Sequence, residues 1–288
     1  MRSESSISQA VSGIAPTFSG ELLRPDEAGY DEVRRVHNGM VDKKPALIAR
    51  CRGVADVVDA INISRDLGLE VAVRGGGHNV AGRATVEGGL MIDLSLMKGI
   101  HVDPTRRTVR AQGGATWADL NRETQWHGLA VTGGVVSTTG IAGLTLGGGI
   151  GWLMGKHGLA LANLRAVDLV TPEGRVLRAS DEEHPDLFWA VRGGGGNFGV
   201  VTSFEYRLVP VGLMVAGGLS LPNRLSVTRA QRKNVALPPI LNPSTTVATQ
   251  GGRPSHARRF GARCGSLRDR AAPAGWRGGR GEALRADC

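Results

Sequence analysis

The residues with the clearest chemical potential lie in "VAVRGGGHNVAG", residues 71–82, where Arg74 precedes three consecutive glycines and His78 follows them. Successive glycine N–H groups can form a concave anion-binding nest, and a neighbouring guanidinium adds positive charge. Because an ordinary turn needs only one or two glycines, the run predicts close approach of a phosphate-bearing group to the backbone. Glycine runs also occur at tight turns and strand crossings, and a single loop histidine is often only a hydrogen-bonding residue. Both interpretations of this loop remain open at this point.

A second glycine-dense stretch is "GGVVSTTGIAGLTLGGGIG", residues 133–151. The Thr138 and Thr139 hydroxyls are hydrogen-bond donors, and a short helix predicted to begin at Gly140 would add N-terminal N–H groups. Two separated donor loops fit a large cofactor with two phosphates better than they fit a single phosphate.

Other nucleotide and metal motifs are not supported. Gly194-x-Gly196-x-x-Gly199 matches the dinucleotide fingerprint in letters only, since a predicted helix precedes it and a predicted strand follows, the reverse of what that motif requires. "GWLMGKH" lacks the first glycine and the hydroxyl residue of a phosphate-binding P-loop. No histidine pair has the spacing of zinc ligands, so we expect no metal. The three cysteines, Cys51, Cys264 and Cys288, are expected to be free thiols.

The glycine loops need elements to position them. Apolar spacing predicts a helix over 53–66 that ends at Gly68, followed by a short strand that runs into the first glycine loop. A second helix is predicted after Thr116, its N-cap, with Trp117, Leu120 and Trp126 on its apolar face.

Downstream, a hairpin is predicted around residues 172–174 in "LVTPEGRVL". The segment after it predicts a helix capped by Asp181 with Pro185 in its first turn, and then a strand over 200–208. These elements indicate an α+β fold.

Composition and charge divide the chain near residue 212. The 288 residues are 41% hydrophobic and carry a net charge of +9, and residues 213–288 hold 13 Lys and Arg against three Asp and Glu. This Arg- and Gly-rich tail lacks periodicity and is expected to be disordered. Its cations leave open a nucleic-acid-binding role, although Phe260 and Trp276 are its only aromatic residues, so we expect none. A frameshift between about residue 213 and residue 255 is our hypothesis for the change in composition.

No run reaches the roughly 18 apolar residues of a membrane span, and residues 1–16 have no apolar secretory core. We therefore expect a cytoplasmic protein without membrane contact.

Three segments together resemble one known family. They are "RGGGHNVAG", then "GGVVSTTGIAGLTLGGGIGWLMGKHGL" with "NLRAVDLVTPEGRV", and finally "HPDLFWAVRGGGGNFGVVTSFEYRL". In this order they resemble the FAD-linked oxidases with a PCMH-type FAD-binding domain, in particular the berberine-bridge-enzyme-like branch of the vanillyl-alcohol oxidase superfamily. The resemblance covers about residues 18–211. It implies a lead-in segment over 1–42, an FAD domain of two α/β subdomains over 43–212, and a non-homologous tail over 213–288.

The resemblance also implies site residues. His78 corresponds to the histidine that binds the flavin covalently at its 8α carbon. Residues 74–79 would hold the pyrophosphate, residues 137–143 and 147–151 would follow the ribityl chain and the ring, and residues 199–201 would meet the adenine end. Val136 stands where some members carry a second attachment cysteine, so only the histidyl bond is expected. The implied FAD-binding residues are Arg74, Gly75, Gly76, Gly77, His78, Asn79, Ser137, Thr138, Thr139, Gly140, Gly143, Gly147, Gly148, Gly149, Gly151, Gly199, Val200 and Val201.

The implied function is an FAD-dependent oxidase that abstracts a hydride from a small alcohol, sugar or amine and passes the electrons to dioxygen. The family's substrate domain is not recognisable after residue 212, so the substrate-side catalytic residues are not identified. A non-catalytic FAD-binding fragment is therefore the alternative. The sequence does not specify the oligomeric state.

Overall fold

The computed structural model describes residues 4–212 and shows an α+β protein with a four-stranded, a five-stranded and a two-stranded β-sheet, which confirms the predicted fold class. The predictions made for residues 213–288, namely a disordered tail, a frameshift and a nucleic-acid-binding role, lie outside the described residues. The domain boundaries at 42 and 212 stay predictions. None of the helices in the described range is long and apolar enough to cross a membrane.

The first sheet is built from the N-terminal part of the chain. After helix α1 (Glu4–Ile14) come strand β1 (Glu21–Leu23), the short helix α2 (Tyr30–Val33), β2 (Leu47–Arg50), α3 (Val54–Leu67), β3 (Val71–Arg74) and β4 (Leu90–Asp93). The strand order is β1-β2-β4-β3, with β2 and β3 parallel to β4 and β1 antiparallel to β2. Helix α3 is the crossover between β2 and β3, as parallel strands require.

Helix α3 confirms the prediction made from its apolar spacing. It ends at Gly68, whose φ of 59° lies in the left-handed region that glycine favours. Its inward face packs against one face of the central strands β2 and β4 in a core that includes Leu47, Ile92 and Val57, all fully buried. The opposite face of these strands, with Ile48 and Met91, packs separately against Tyr30 of α2. Glycine at position 68 thus fixes where the chain turns into β3, the strand that leads to the first glycine loop.

The second sheet follows in the remaining sequence. Its elements are β5 (Ile100–Asp103), β6 (Thr108–Gln112), α4 (Trp117–Gln125), β7 (Leu129–Ala130), α5 (Ile141–Leu146), α6 (Met154–His157), β8 (Leu164–Val170), β9 (Val176–Ser180), α7 (Pro185–Gly194), β10 (Val200–Arg207) and β11 (Val209–Pro210). The five long strands form an antiparallel sheet in the order β5-β6-β10-β8-β9, and β7 pairs separately with β11. The predicted hairpin is confirmed, since β8 pairs with β9 across a turn at residues 171–175.

A second core packs helices α4, α5 and α7 against this sheet. Its largest fully buried side chains are Trp117, Phe188, Phe204 and Tyr206. The Tyr206 hydroxyl lies 2.8 Å from the Thr145 hydroxyl of α5, and burial raises the pKa of Tyr206. Helix α5, which lies within the second glycine-dense stretch, is therefore held against the central strand β10.

Two details of the predicted helices differ from the structure. Thr116 caps α4 as predicted, and its hydroxyl accepts the N–H of Asp119. Trp126 is 82% exposed and does not belong to the apolar face, because it follows the buried Trp117 by about two and a half helical turns and therefore lies on the opposite side of the helix. Asp181 does not cap α7. The helix begins at Pro185 after His184, and Asp181 instead lies 3.5 Å from Arg192 in an ion pair.

Candidate cofactor-binding site

The two glycine loops meet backbone to backbone. A Cβ added to Gly76 would lie 2.2 Å from the backbone nitrogen of Gly140, and a Cβ added to Gly140 would lie 2.3 Å from that of Gly76. Gly77 has a φ of +69°, which glycine adopts without strain. The protein itself therefore requires glycine at positions 76, 77 and 140, so the run is not by itself evidence of a ligand.

His78 lies where the first loop meets the second. The Thr138 hydroxyl is 3.1 Å from its Nε2 and the Thr139 hydroxyl is 3.3 Å from its Nδ1. The ring of His37 stacks on it, with centroids 4.0 Å apart and planes 12° from parallel. Partial burial, and secondarily the charge of His37, lower the pKa of His78 below its ordinary value. The imidazole is thus held in place and favoured in its neutral form at neutral pH.

An open cavity of ≈ 230 Å³ lies beside these loops. Gly75, Gly76 and Gly77 line it from the first loop and Thr138 lines it from the second. Val36 and Gly114 also line it, together with six polar or charged residues: Arg35, His37, Arg74, Ser95, Lys98 and Thr116. The cavity therefore combines glycine backbone, hydroxyl groups and cations, the donor set that an anionic group needs.

The positive charge of Arg74 is already compensated within the protein. Its Nε and Nη2 lie 3.0 Å and 2.8 Å from the two carboxylate oxygens of Asp93, which is fully buried. Its Nη1 donates to the backbone carbonyls of Val33 and Arg35. Arg74 therefore fixes the start of the glycine loop against β4 and the segment after α2, and lines the cavity at the same time.

Asn79 also has a local role, because its side-chain oxygen accepts the N–H groups of Ala81 and Arg83, at 3.1 Å and 3.2 Å. It is exposed and stabilises the turn that follows His78.

The second loop contains glycines of two kinds. Gly149 and Gly151 are required by packing, since a Cβ would lie 2.4 Å from the Ala160 Cβ and 1.9 Å from the Gly133 carbonyl oxygen, respectively. Gly143 is different: it lies on the exposed side of α5, and a Cβ there would meet nothing within 4 Å. A glycine inside a helix is unfavourable relative to alanine, so its presence at position 143 has no explanation within the described protein.

Apolar side chains in this glycine-rich stretch, and one directly after it, are exposed. Val135 and Val136 are 57% and 48% exposed, and Ile150 and Trp152 are 67% and 80% exposed. The two segments are adjacent, because Gly151 packs directly on Gly133. This surface offers a flat apolar ring a place to bind.

The third predicted segment, Gly199–Val201, opens strand β10. Gly199 has a φ of +138°, and its Cβ would lie 2.4 Å from the Val170 carbonyl oxygen. The Val200 and Val201 side chains are both 4% exposed and belong to the two hydrophobic cores. The side chains of Val200 and Val201 are therefore not available to a ligand.

Sequence reasoning assigned no site role to seven residues that line the cavity: Arg35, Val36, His37, Ser95, Lys98, Gly114 and Thr116. None belongs to a recognisable binding motif, and each lies outside the glycine loops in sequence. His37 is brought to the site because its N–H donates to the Gly77 carbonyl at 3.0 Å. Only the tertiary structure could identify these residues.

Comparison with known proteins identifies the fold as that of an FAD-binding domain. Residues 45–180 match the FAD binding domain family. The (R)-6-hydroxynicotine oxidase of Paenarthrobacter nicotinovorans is 44% identical over 192 residues, which are 67% of this chain and 42% of that protein. An FAD-linked oxidoreductase of Aspergillus terreus is 39% identical over 202 residues, which are 69% of this chain and 41% of that protein.

Solved structures show the same relationship. The crystal structure of 6-hydroxy-D-nicotine oxidase from Arthrobacter nicotinovorans superposes with a TM-score of 0.66 at 44% identity, covering 67% of this chain and 43% of that one. A glucooligosaccharide oxidase of Acremonium strictum, described as carrying a 6-S-cysteinyl, 8α-N1-histidyl FAD, superposes with a TM-score of 0.66 at 31% identity, covering 70% of this chain and 42% of that one. The chain thus spans less than half the length of these relatives. Its residues 45–180 belong to the PCMH-type FAD-binding domain family that FAD-linked oxidoreductases contain.

Proposed function

We propose that this chain binds FAD between the two glycine loops, carries it covalently on His78, and serves as an oxidase of small molecules. The observation that carries the proposal is the position of His78, whose ring nitrogens contact Thr138 and Thr139 beside a cavity lined by glycine backbone and cations. A neutral imidazole beside glycine N–H groups and cations supports a histidyl-flavin, because the attachment needs an uncharged ring nitrogen and the cofactor's diphosphate needs donors.

The size of the cavity fits part of the cofactor. Sites that enclose a whole drug-sized ligand are about 300–1,000 Å³, so a cavity of ≈ 230 Å³ would hold the diphosphate and its neighbouring groups only. The isoalloxazine would lie over α5 and the apolar surface at residues 135–136 and 150–152. The open side of Gly143 supports this placement, because nothing in the described protein fills it.

Each residue has a defined task in this proposal. The N–H groups of Gly75–Gly77 would donate to the phosphates, and Arg35 and Lys98 would offset their charge. Arg35 makes no ion pair within residues 4–212, and Lys98 is half exposed and 3.3 Å from Asp119. Arg74, bound to Asp93, would orient the loop. Gly199–Val201 would approach the adenine through backbone groups only.

When bound, FAD supplies a two-electron acceptor that dioxygen can reoxidise. The names of the similar proteins specify hydroxynicotine and oligosaccharides. We propose that this chain acts on a small amine, alcohol or sugar, with dioxygen as electron acceptor. An oxidase of this kind needs a base that takes a proton from the substrate. Tyr206, the last tyrosine in the chain, is fully buried and hydrogen-bonded to Thr145, so it does not have this role.

The proposal is tested by purifying the full chain and mixing it anaerobically with panels of amines, alcohols and oligosaccharides. We expect one class to bleach the flavin absorbance, and admission of dioxygen to restore it with release of hydrogen peroxide. A chain that holds flavin but is bleached by none of the three classes would be the non-catalytic FAD-binding domain. A colourless chain would contradict FAD binding itself.

A further inference from the structure

Resting on the proposed function, we propose that His37 is a positioning residue for the covalent attachment of flavin to His78. The observation behind the proposal is the ring stack, with centroids 4.0 Å apart and an interplanar angle of 12°. Near-parallel rings at this distance are in contact over a whole face, so His37 restricts the tilt of the His78 ring.

Hydrogen bonds near the two histidines hold their segments together. The His37 N–H donates to the Gly77 carbonyl, and the Asn38 side-chain amide donates to the Val80 carbonyl at 2.9 Å. Arg74 donates to the carbonyls of Val33 and Arg35 in the same segment. Hydrogen bonds before, at and after position 37 therefore tie this segment to the loop that carries His78, so the two rings are not a chance surface contact.

The other contacts of His78 do not fix the plane of its ring. Threonine hydroxyls can donate or accept, so Thr138 and Thr139 satisfy the two ring nitrogens in either neutral tautomer. They hold the edge of the ring without fixing its plane, and the stacked His37 supplies that constraint. No group of three or more potential metal ligands exists among the described residues, so the pair is not part of a metal site there.

The orientation of the His78 ring matters because one of its nitrogens forms the covalent bond to FAD. A bond forms between an imidazole nitrogen of His78 and the 8α carbon of FAD, while the imidazole N–H and one C–H bond of the 8α carbon break. The two hydrogens and the electron pair pass finally to dioxygen, which becomes hydrogen peroxide. Only the neutral imidazole has a free lone pair, and bond formation depends steeply on the angle of approach. A partner that keeps the ring neutral and oriented should therefore accelerate this step without being consumed.

The test compares His37→Ala and His37→Phe in the full chain. His37→Phe keeps a flat ring against His78, whereas His37→Ala removes it. His127→Ala is the matched control, because His127 is exposed and outside the cavity lining. Apoprotein is mixed with FAD in air, and samples are taken over time. Total bound flavin is measured after gel filtration, and covalent flavin is measured as fluorescence retained in acid-precipitated protein.

We expect His37→Ala to slow covalent incorporation about tenfold while total bound flavin stays at the level of the unmodified chain. His37→Phe should stay within about threefold of the unmodified rate, and His127→Ala should match it. Covalent incorporation in His37→Ala at the unmodified rate would overturn the inference. If the unmodified chain binds flavin and releases all of it in acid, the proposed covalent attachment fails, and this inference falls with it.

A second readout separates positioning from general damage. The His78 ring proton is followed by NMR as a function of pH in the apoprotein. Because burial and His37 both lower the pKa of His78, we expect that pKa to rise toward its ordinary value in His37→Ala and to rise less in His37→Phe. An unchanged pKa in both variants would contradict the proposed contact. If His37→Ala does not fold, His37→Leu replaces it with the same expectations.

Discussion

Replacing Gly143 with alanine should stabilise the folded protein and weaken its binding of FAD. The substitution is informative because these two effects have opposite signs. Position 143 is inside α5, on its exposed side, and an added Cβ would meet no atom within 4 Å. A helical Gly→Ala change stabilises by about 0.5–1 kcal/mol when the backbone is compatible, which corresponds to a rise in melting temperature of about 1–4 °C for a domain of this size.

The cofactor should respond in the other direction. If the isoalloxazine lies against α5, the new methyl group fills space that the ring occupies, and overpacking of this kind costs about 1–3 kcal/mol. The dissociation constant for FAD should then rise about 5-fold to 150-fold. Binding is measured by flavin fluorescence titration in a His78→Ala background, so that no covalent bond hides the equilibrium.

Gly13→Ala is the matched control for this experiment. Gly13 is also helical and exposed with nothing within 4 Å of an added Cβ, but it lies in α1, outside both glycine loops. It should stabilise by a similar amount and leave FAD affinity unchanged. If Gly143→Ala also left FAD affinity unchanged, the ring would not lie on α5, and the reasoning about this glycine would be refuted.

Three further outcomes are expected. Gly76→Ala should destabilise the fold by about 1–3 kcal/mol in thermal unfolding, because its Cβ would overlap the backbone of Gly140, and an unchanged melting temperature would mean that the loops do not touch. Asp93→Asn should destabilise by about 3 kcal/mol in denaturant unfolding, since it removes the buried carboxylate that pairs with both Arg74 and Arg50, and a loss well below about 1 kcal/mol would contradict these ion pairs. The lowered pKa of His78 favours the folded state fully above pH 6.5, and this contribution is lost as pH falls through the folded pKa. Between neutral pH and about pH 5, the melting temperature of His78→Asn should therefore fall less than that of the unmodified chain. An equal fall in both proteins would refute the lowered pKa.

Local sequence signals predicted the elements that local chemistry determines. The helix ending at Gly68 was predictable because its apolar spacing and its left-handed C-cap glycine are both encoded within a few residues. Thr116 was predictable as an N-cap for the same reason, since its hydroxyl bonds to an N–H three residues later. The Asp181 cap was wrong because α7 begins only at Pro185, after a turn in which the Ser180 hydroxyl accepts the N–H groups of Glu182 and Glu183.

The site depended on contacts that local patterns do not contain. The glycine runs indicated close approach of a backbone group, but the partner of Gly76 is Gly140, in a loop far along the chain. His37 gave no signal, because its contact with His78 exists only once the segment after α2 folds over the first loop. Arg74 was predictable as a cation at the loop, whereas its pairing with buried Asp93 required the register of two parallel strands.

The central claim, that this domain carries its flavin on His78, is tested most directly by peptide mass spectrometry of the purified full chain. After acid precipitation and proteolysis, we predict that the peptide containing His78 carries the added mass of FAD less two hydrogen atoms, and that His78→Ala lacks this modification while still binding flavin reversibly. An unmodified His78 peptide from yellow protein, or a flavin attached to another residue, would contradict the account.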